Sequence, residues 1–177
     1  MKIERAINPN TFIHPRQTYL WNRLHSDSLP EGAAELIADA IEEYQSAFGN
    51  SQRRANDRKI FETQFTAQLP EDSPGTILAG RSHLLTVRFE REGQTAEEIS
   101  ELHTHLAVML RLRNMPGTEI YPDWLRYVSV DIAGKSRPTP FLLVLPNSLQ
   151  GYRGIAELGV LNGGTLVVNQ PLDIRIA

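Results

Sequence analysis

The most apolar run in the chain spans residues 141–145 and contains no polar position. A strand with one face in solvent alternates between apolar and polar residues, whereas a strand covered on both faces does not. This run therefore predicts a strand buried on both faces. The alternation within Tyr127–Ile132 predicts the strand before it, and residues 133–140 form the predicted loop between the two.

Two more segments alternate with the period of a half-buried strand. In residues 61–69 the apolar positions are mostly odd-numbered, and in residues 85–90 they are Leu85, Val87 and Phe89. The segment between them begins with residues 70–75, whose prolines and glycine are typical of a turn. We therefore predict that these two strands form an antiparallel pair.

The period changes to that of a helix in two places. Leu29–Phe48 carries an apolar stripe at three- and four-residue spacing, and Ser28 with Glu31 has the pattern of a capping box. Residues 96–114 show a second stripe, and Pro116 sets the end of this helix because it disfavours helical geometry before it. The sequence thus predicts two major helices.

The segment 147–158 decides between two folds. A helix there would complete the βαββαβ order of a ferredoxin-like domain over residues 84–168. Gly151, Gly154 and Gly159 argue against it, since each glycine weakens a helix by about 1 kcal/mol relative to alanine. We therefore favour an α+β domain with a mainly antiparallel sheet and two major helices packed on one face.

The C-terminal residues favour strands. Val160–Val168 predicts a hairpin, because its central Asn-Gly-Gly supplies the positive φ angles that tight turns require. Residues 173–177 predict a last strand. Together the periodicities predict a buried core that consists of Leu36, Ile37, Ile41, Phe65, Val87, Phe89, Leu102, Leu106, Val128, Val130, Leu143 and Leu145.

Residues 1–27 form an N-terminal apolar arm in this interpretation, and residues 28–177 form a single α+β domain. The arm contains Phe12, Tyr19 and Trp21 and is too apolar for a disordered tail. A helical turn is expected around residues 17–24. Our hypothesis is that the arm buries its apolar groups against another subunit, and docking on its own domain is the alternative.

Composition narrows the function classes. The 177-residue chain has no cysteine, which excludes a disulfide framework, a zinc ribbon, a thiol nucleophile and an iron–sulfur cluster. A net charge of −3 gives no overall attraction to nucleic acid. No apolar run is long enough to span a membrane, and Met1–Arg5 does not resemble the start of an export signal. We therefore expect a cytoplasmic protein without membrane contact.

Three short patterns resemble sites of known chemistry. His103 and His105 are two positions apart in a predicted helix, about 200° around its axis, so they are not expected to share a metal ion. Gly134-Lys135-Ser136 ends like a phosphate-binding loop, but Ser129 stands where that loop requires a glycine.

The third pattern resembles a metal-dependent nuclease. Asp123, Asp131 and Lys135 supply two carboxylates and a lysine, but acid and lysine are four residues apart across a turn. Charged positions on a strand face are usually solvated. We therefore predict no catalytic residue, no cofactor and no metal site.

Aromatic and basic residues are the candidates for partner binding. They are Phe12, Tyr19, Trp21, Arg53, Arg54, Arg58, Lys59, Lys135 and Arg137. We predict a non-catalytic interaction or assembly protein, a subunit of a larger bacterial or phage-type complex, with a protein partner or self-association. The alternatives are a hydrolase or nuclease with an unrecognised His/Asp site, and a nucleic-acid-binding protein that uses residues 53–59.

Overall fold

The computed structural model describes residues 6–49, 65–68, 76–92, 104–131 and 134–177. These residues form an α+β structure with two α-helices and mostly antiparallel sheets. The helices are α1 (Pro15–Leu24) and α2 (Ala33–Phe48), and short 3-10 helices span Pro9–Thr11 and Asn147–Leu149. The strands are β1 (Phe65–Gln68), β2 (Thr76–Ile77), β3 (Ser82–Arg91), β4 (Thr104–Arg113), β5 (Glu119–Tyr121), β6 (Leu125–Val130), β7 (Thr139–Val144), β8 (Arg153–Asn162) and β9 (Thr165–Ile176).

The strands form two sheets that enclose one hydrophobic core. One sheet has the order β1-β3-β7-β5, and the other has the order β2-β9-β8-β4-β6. The predicted antiparallel pair is confirmed in β1 and β3, and β2 with β9 is the parallel pairing among the described strands. Leu85 and Phe141 of the first sheet share a buried cluster with Val108 and Val160 of the second. The two sheets therefore pack face to face.

The prediction of a strand buried on both faces is confirmed in β7. Phe141 and Leu143 belong to the core between the sheets, whereas Leu142 belongs to a second cluster that contains the helices. That cluster includes Leu20 of α1 and Ile37 of α2. β7 thus separates the core of the two sheets from the helix layer, which accounts for the absence of polar residues from Phe141 to Val144.

Helix α2 begins at Ala33, later than the predicted Leu29. Its N-cap is Gly32, whose φ of 83° is left-handed, and no side chain caps the helix. Glycine adopts this conformation without steric cost, so the helical path starts only after it. The predicted capping box of Ser28 and Glu31 is therefore wrong.

Helix α1 packs on α2 of the same chain. His14 is its N-cap, and Gln17 Oε1 accepts hydrogen bonds from the backbone N–H groups of Ile13 (2.7 Å) and His14 (3.0 Å). The Gln17 amide then donates to the carbonyl oxygen of Ile41 in α2 (3.1 Å) and is buried there. The structure thus shows the intramolecular docking that the sequence left open as the alternative for the N-terminal arm.

The predicted helix over residues 96–114 is wrong for its described part, which is strand β4. This strand pairs with β6 on one side and β8 on the other, and Leu106, Val108 and Leu110 alternate into the core. Residues 93–103 lie outside the described residues. The two helices of the layer are therefore α1 and α2, not the pair that the sequence predicts.

The ferredoxin-like order is not confirmed. Between residues 84 and 168 the described residues form strands and one short 3-10 helix, and most of segment 147–158 belongs to β8. Gly154 is required in β8, because a Cβ at this position would overlap the side chain of Met115. The predicted hairpin is confirmed in β8 and β9, with positive φ at Gly163 and Gly164.

The predicted core is confirmed wherever the structure describes it. Each of the predicted core residues in the described ranges is buried. Leu102 lies outside those ranges. The strand and helix periodicities therefore identify the correct inward faces of β3, β6, β7 and α2.

Candidate functional site

Arg23 of α1 closes the outer edge of β5. This strand ends its sheet and pairs with β7 on one side. The Arg23 guanidinium donates to the carbonyl oxygens of Ile120 (2.8 Å) and Pro122 (2.7 Å) and lies 3.9 Å from the centre of the Tyr121 ring. Unpaired carbonyl groups on an edge strand attract other chains. Helix α1 therefore satisfies groups that would otherwise be open to pairing.

Asp123 anchors α1 a second time. Asp123 is 2% exposed. Its Oδ2 atom pairs with the guanidinium of Arg16, and its Oδ1 atom accepts a hydrogen bond from the backbone N–H of Trp124 (2.9 Å). Burial, and then the negative charge of Asp123, raise the pKa of the neighbouring Tyr44 to about 12. Tyr44 is therefore neutral beside this ion pair at physiological pH.

Two aromatic side chains flank Arg16 at the surface. The Cζ atom of Arg16 lies 4.3 Å from the centre of the Tyr19 ring and 6.0 Å from that of Trp124. Tyr19 is 45% exposed and Trp124 is 48% exposed. We call Arg16, Tyr19 and Trp124 the aromatic surface. Because Asp123 holds the guanidinium that both rings approach, the surface is preorganised.

A cluster of rings joins α1, α2 and β6 beside the aromatic surface. The His14 ring lies 5.0 Å from that of Phe48 and 4.7 Å from that of Tyr44, and Tyr127 contacts both of these α2 rings. Burial, and then the positive charge of Arg16, lower the pKa of His14. Since its Nδ1 accepts from the Arg16 N–H (3.1 Å), the neutral imidazole is the form that fits here.

Arg126 joins α2 to both sheets. Its side chain is 3% exposed, pairs with Glu43 of α2 (Nε–Oε2, 3.2 Å) and donates to the carbonyl oxygen of Pro140 (2.6 Å). Burial raises the pKa of Glu43, although the charge of Arg126 opposes this shift. A buried charge without its partner is costly. The pair therefore fixes α2 over the ends of β6 and β7.

A cleft of about 640 Å³ opens beside this ion pair. We call it the polar cleft. Strand β6 contributes Tyr127 and Ser129, and the Ser46 hydroxyl lies 3.2 Å from Nε2 of His105. Its charged and histidine side chains are Asp39, Glu42, Glu43, His105, Arg126, Asp131, Lys135 and Arg137.

The predicted partner-binding residues fall at separate places. Tyr19 belongs to the aromatic surface, whereas the rings of Phe12 and Trp21 contact each other at 6.0 Å and pack against the core of the helix layer. Lys135 and Arg137 line the polar cleft. Outside the described residues lie Arg53, Arg54, Arg58 and Lys59.

The residues with metal-site patterns are separated. Asp123 is buried against Arg16, whereas Asp131 accepts from the backbone N–H of Lys135 (3.0 Å) within its own turn. His105 lies on strand β4, so the helical geometry expected for it is wrong, and His103 is outside the described ranges. Within those ranges no three His, Asp or Glu residues are placed to hold a metal ion. No described helix has the length and apolar character to cross a membrane.

Sequence analysis missed Trp124 and Arg16 as members of the surface. Trp124 lies directly before β6, after the cis peptide bond Tyr121–Pro122. The available signal was a tryptophan between Asp123 and Leu125, two positions after a proline, which is a residue type typical of turns. Nothing in the local sequence connects it to Arg16, which is distant along the chain.

No known protein-family model matches the chain, and no curated protein matches its sequence. Among solved structures, one similarity is to native alpha-2-macroglobulin from Escherichia coli, from domain MG7 to the C-terminus, with TM-score 0.45, 16% identity, and coverage of 67% of this chain and 17% of that one. A FixG-related protein from Vibrio parahaemolyticus gives TM-score 0.38 at 10% identity, with coverage of 64% and 94%. The Lin-41 filamin domain gives 0.31 at 16% identity, with coverage of 63% and 91%. Similarities this low assign neither a family nor an activity.

Proposed function

We propose that this chain is a non-catalytic interaction or assembly protein, a subunit of a larger complex that binds a protein partner through the aromatic surface. The observation that carries the proposal is the placement of two aromatic residues, Tyr19 and Trp124, near Arg16, with each of the two nearly half exposed. The cytoplasm is its proposed location, on the sequence grounds given above.

The residue types of this surface support protein binding. Tyrosine, tryptophan and arginine are the residues that most often dominate the binding energy of protein interfaces. Exposed aromatic rings bring large apolar area at low cost in side-chain entropy.

The rigidity of the surface supports the same function. Arg16 is held by Asp123, and the helix that carries both Arg16 and Tyr19 is held by Arg23. A surface that is already ordered before binding pays less entropy when the partner docks.

The size of the native assembly tests this proposal. We would express the tagged full chain in cells of the source organism and compare the mass of the native complex for wild type and for Tyr19→Ala combined with Trp124→Ala. We expect wild type well above the 19.9 kDa of one chain and the double variant near it. Tyr152→Ala is the matched control, because Tyr152 is an exposed aromatic elsewhere on the molecule.

Two results would contradict the proposal. One is a wild-type chain that runs as a free monomer in the extract. The other is a loss of the complex in the Tyr152→Ala control as complete as in the double variant. Sedimentation of the chain purified free of all other proteins separates self-association from binding of a different protein, since only self-association can occur in that sample.

A further inference from the structure

The polar cleft carries acidic side chains of helix α2 and basic side chains of the segment before β7, together with Arg126 of β6 and Asp131. Helix α2 presents Asp39, Glu42, Glu43 and Ser46 to it, at the three- and four-residue spacings that place side chains on one helix face. The negative charges of Asp39 and Glu42 act on Glu43 and raise its pKa, after the larger effect of burial. The carboxylates of Asp39 and Glu42 are therefore close enough to act on Glu43, whose own charge is paired with Arg126, and this side of the cleft is acidic.

The basic side chains come from the segment that enters β7. Lys135 and Arg137 both line the polar cleft and are exposed. The Lys135 ammonium lies 3.5 Å from a carboxylate oxygen of Glu90, and the two side chains are 65% and 42% exposed. Exposed ion pairs of this kind contribute little, so Lys135 is available to another anion.

Two prolines explain why the cleft is open. Val130 and Ser136 form an antiparallel bridge, so residues 135–137 begin to pair with β6. Pro138 and Pro140 then follow, and neither has an N–H group with which to extend a ladder. The chain departs from β6 at this point, and Arg126 spans the gap by its bond to the Pro140 carbonyl oxygen.

The dimensions limit the ligand to a small molecule or a short peptide. A volume of about 640 Å³ falls within the range of small-molecule pockets. An extended tripeptide is roughly 10 Å long, and at neutral pH it carries an ammonium at one end and a carboxylate at the other.

We propose that the polar cleft is a second binding site, which takes a short zwitterionic peptide with its amino terminus beside Asp39 and Glu42 and its carboxyl terminus beside Lys135 and Arg137. Tyr127 and Ser129 also line the cleft. This site uses none of the residues of the aromatic surface, so its test does not depend on the proposed interaction function.

Three related probes separate the two charges. Triglycine has both termini charged, N-acetyl-triglycine keeps only the carboxylate, and triglycine amide keeps only the ammonium. We would titrate each into the full chain by isothermal titration calorimetry at pH 7. We expect triglycine to bind, and each blocked form to bind about tenfold more weakly, because a charge-assisted hydrogen bond is lost.

Variants assign each terminus to its side chains. Asp39→Asn with Glu42→Gln should weaken triglycine about tenfold while leaving N-acetyl-triglycine unchanged. Lys135→Ala with Arg137→Ala should weaken triglycine similarly and leave triglycine amide unchanged. Tyr19→Ala is the control that should leave all three affinities unchanged, and circular dichroism should show that each variant is folded.

Several outcomes would overturn the proposal. They are the absence of triglycine binding at about 10 mM, equal binding of the free and the blocked peptides, and affinities that neither charge variant alters. The proposal would also be overturned if only one of the two blocked peptides bound more weakly than triglycine, because the site would then recognise a single charge.

Discussion

Leu142 and Leu84 are direct cross-strand partners in β7 and β3, yet Leu142 is 5% exposed and Leu84 is 63% exposed. Opposite residues of an antiparallel pair point to the same face of the sheet. The helix layer therefore covers β7 and ends before β3. One leucine is buried by α1 and α2 of its own chain, and the other marks where that cover stops.

This pair gives a matched test of the helix layer. Leu142→Ala should reduce the free energy of unfolding by about 2–5 kcal/mol, because it leaves a cavity in the cluster with α2. Leu84→Ala should change it by less than about 0.5 kcal/mol, since its side chain is mostly in solvent. Urea denaturation of both variants measures the difference. Equal effects would mean that the layer does not cover β7 in solution.

The pair of the buried Arg126 and the partly buried Glu43 gives a second prediction. Arg126→Ala should cost about 3 kcal/mol, because the partly buried carboxylate of Glu43 would lose its partner. Arg126→Met combined with Glu43→Leu should cost less than the single change, since both charges are then removed. Denaturant titrations of the two proteins check this order. A double variant as unstable as Arg126→Ala would show that the lost bond to Pro140, and not the unpaired charge, dominates.

His14 makes the stability of the fold depend on pH. Its pKa is lowered in the folded chain by burial and by Arg16, and its ring faces Tyr44 of α2 and Tyr127 of β6 through the ring cluster. As the pH falls below about 6.5, His14 of the unfolded chain therefore binds a proton, while His14 of the folded chain stays neutral to a lower pH. The contribution of neutral His14 to the free energy of unfolding is complete above about pH 6.5 and is lost as the pH falls through the pKa of the folded chain.

The variant that isolates this effect is His14→Asn, which keeps an N-cap side chain but does not titrate. Between pH 7.5 and 5.5, wild type should lose more unfolding free energy than His14→Asn, because carboxylates shared by both proteins cancel in the comparison. If the free energies of unfolding of the two proteins changed equally with pH over this range, the assignment of the effect to His14 would be contradicted.

Pro171 lies at an outward-facing position of β9. The Ile176 N–H donates to the Tyr152 carbonyl oxygen, so the backbone groups of Ile176 point toward β8. Successive residues of a strand point their backbone groups to opposite edges. The backbone groups of Arg175, and of Pro171 four residues before it, therefore point away from β8. Of the described strands, only the short β2 pairs with this edge, at residues 175 and 176. A proline here removes a donor that another chain would use, which protects the edge.

Pro171→Val should therefore promote association of the purified chain. Restoring the N–H group and a residue of high strand propensity makes the edge able to pair. Sedimentation velocity between about 5 and 100 μM should show larger species for Pro171→Val than for wild type. Leu172→Val, which leaves the proline in place, is the control and should behave as wild type does.

The parts of the fold that the sequence predicts correctly are those where one local signal is unambiguous. The five consecutive apolar residues 141–145 begin within β7, β3 alternates strictly at Leu85, Val87 and Phe89, and the β8–β9 turn contains Gly163 and Gly164. In these segments the apolar pattern or the turn residues allow a single solution. Residues buried by these elements were accordingly identified from the sequence alone.

Strand β4 shows why the rest was not predictable. Leu106, Met109 and Leu110 fit a helical stripe, and Leu106, Val108 and Leu110 fit a strand equally well. The choice is made by pairing with both β6 and β8, which satisfies the backbone of β4 on its two edges. That information lies in segments distant along the chain, so the local period does not contain it.

The sequence predicted only part of the aromatic surface, again because contacts between distant segments leave no local pattern. Tyr19 was identified as an apolar residue of the arm, but its partners Arg16 and Trp124 are joined through the ion pair with Asp123. A contact between an arginine of α1 and a buried aspartate before β6 depends on how α1 docks. No spacing in the sequence reports this, whereas the apolar character of the arm does report that it packs.

The central claim is that the aromatic surface is the face on which a protein partner docks. Its most direct test is crosslinking in living cells, with a photoreactive phenylalanine analogue in place of Tyr19, of Trp124 or of Tyr152 in the full chain. We expect one shared crosslinked product from the first two positions and none from the third. The absence of a product at Tyr19 and Trp124, or the same product from Tyr152, would contradict the claim.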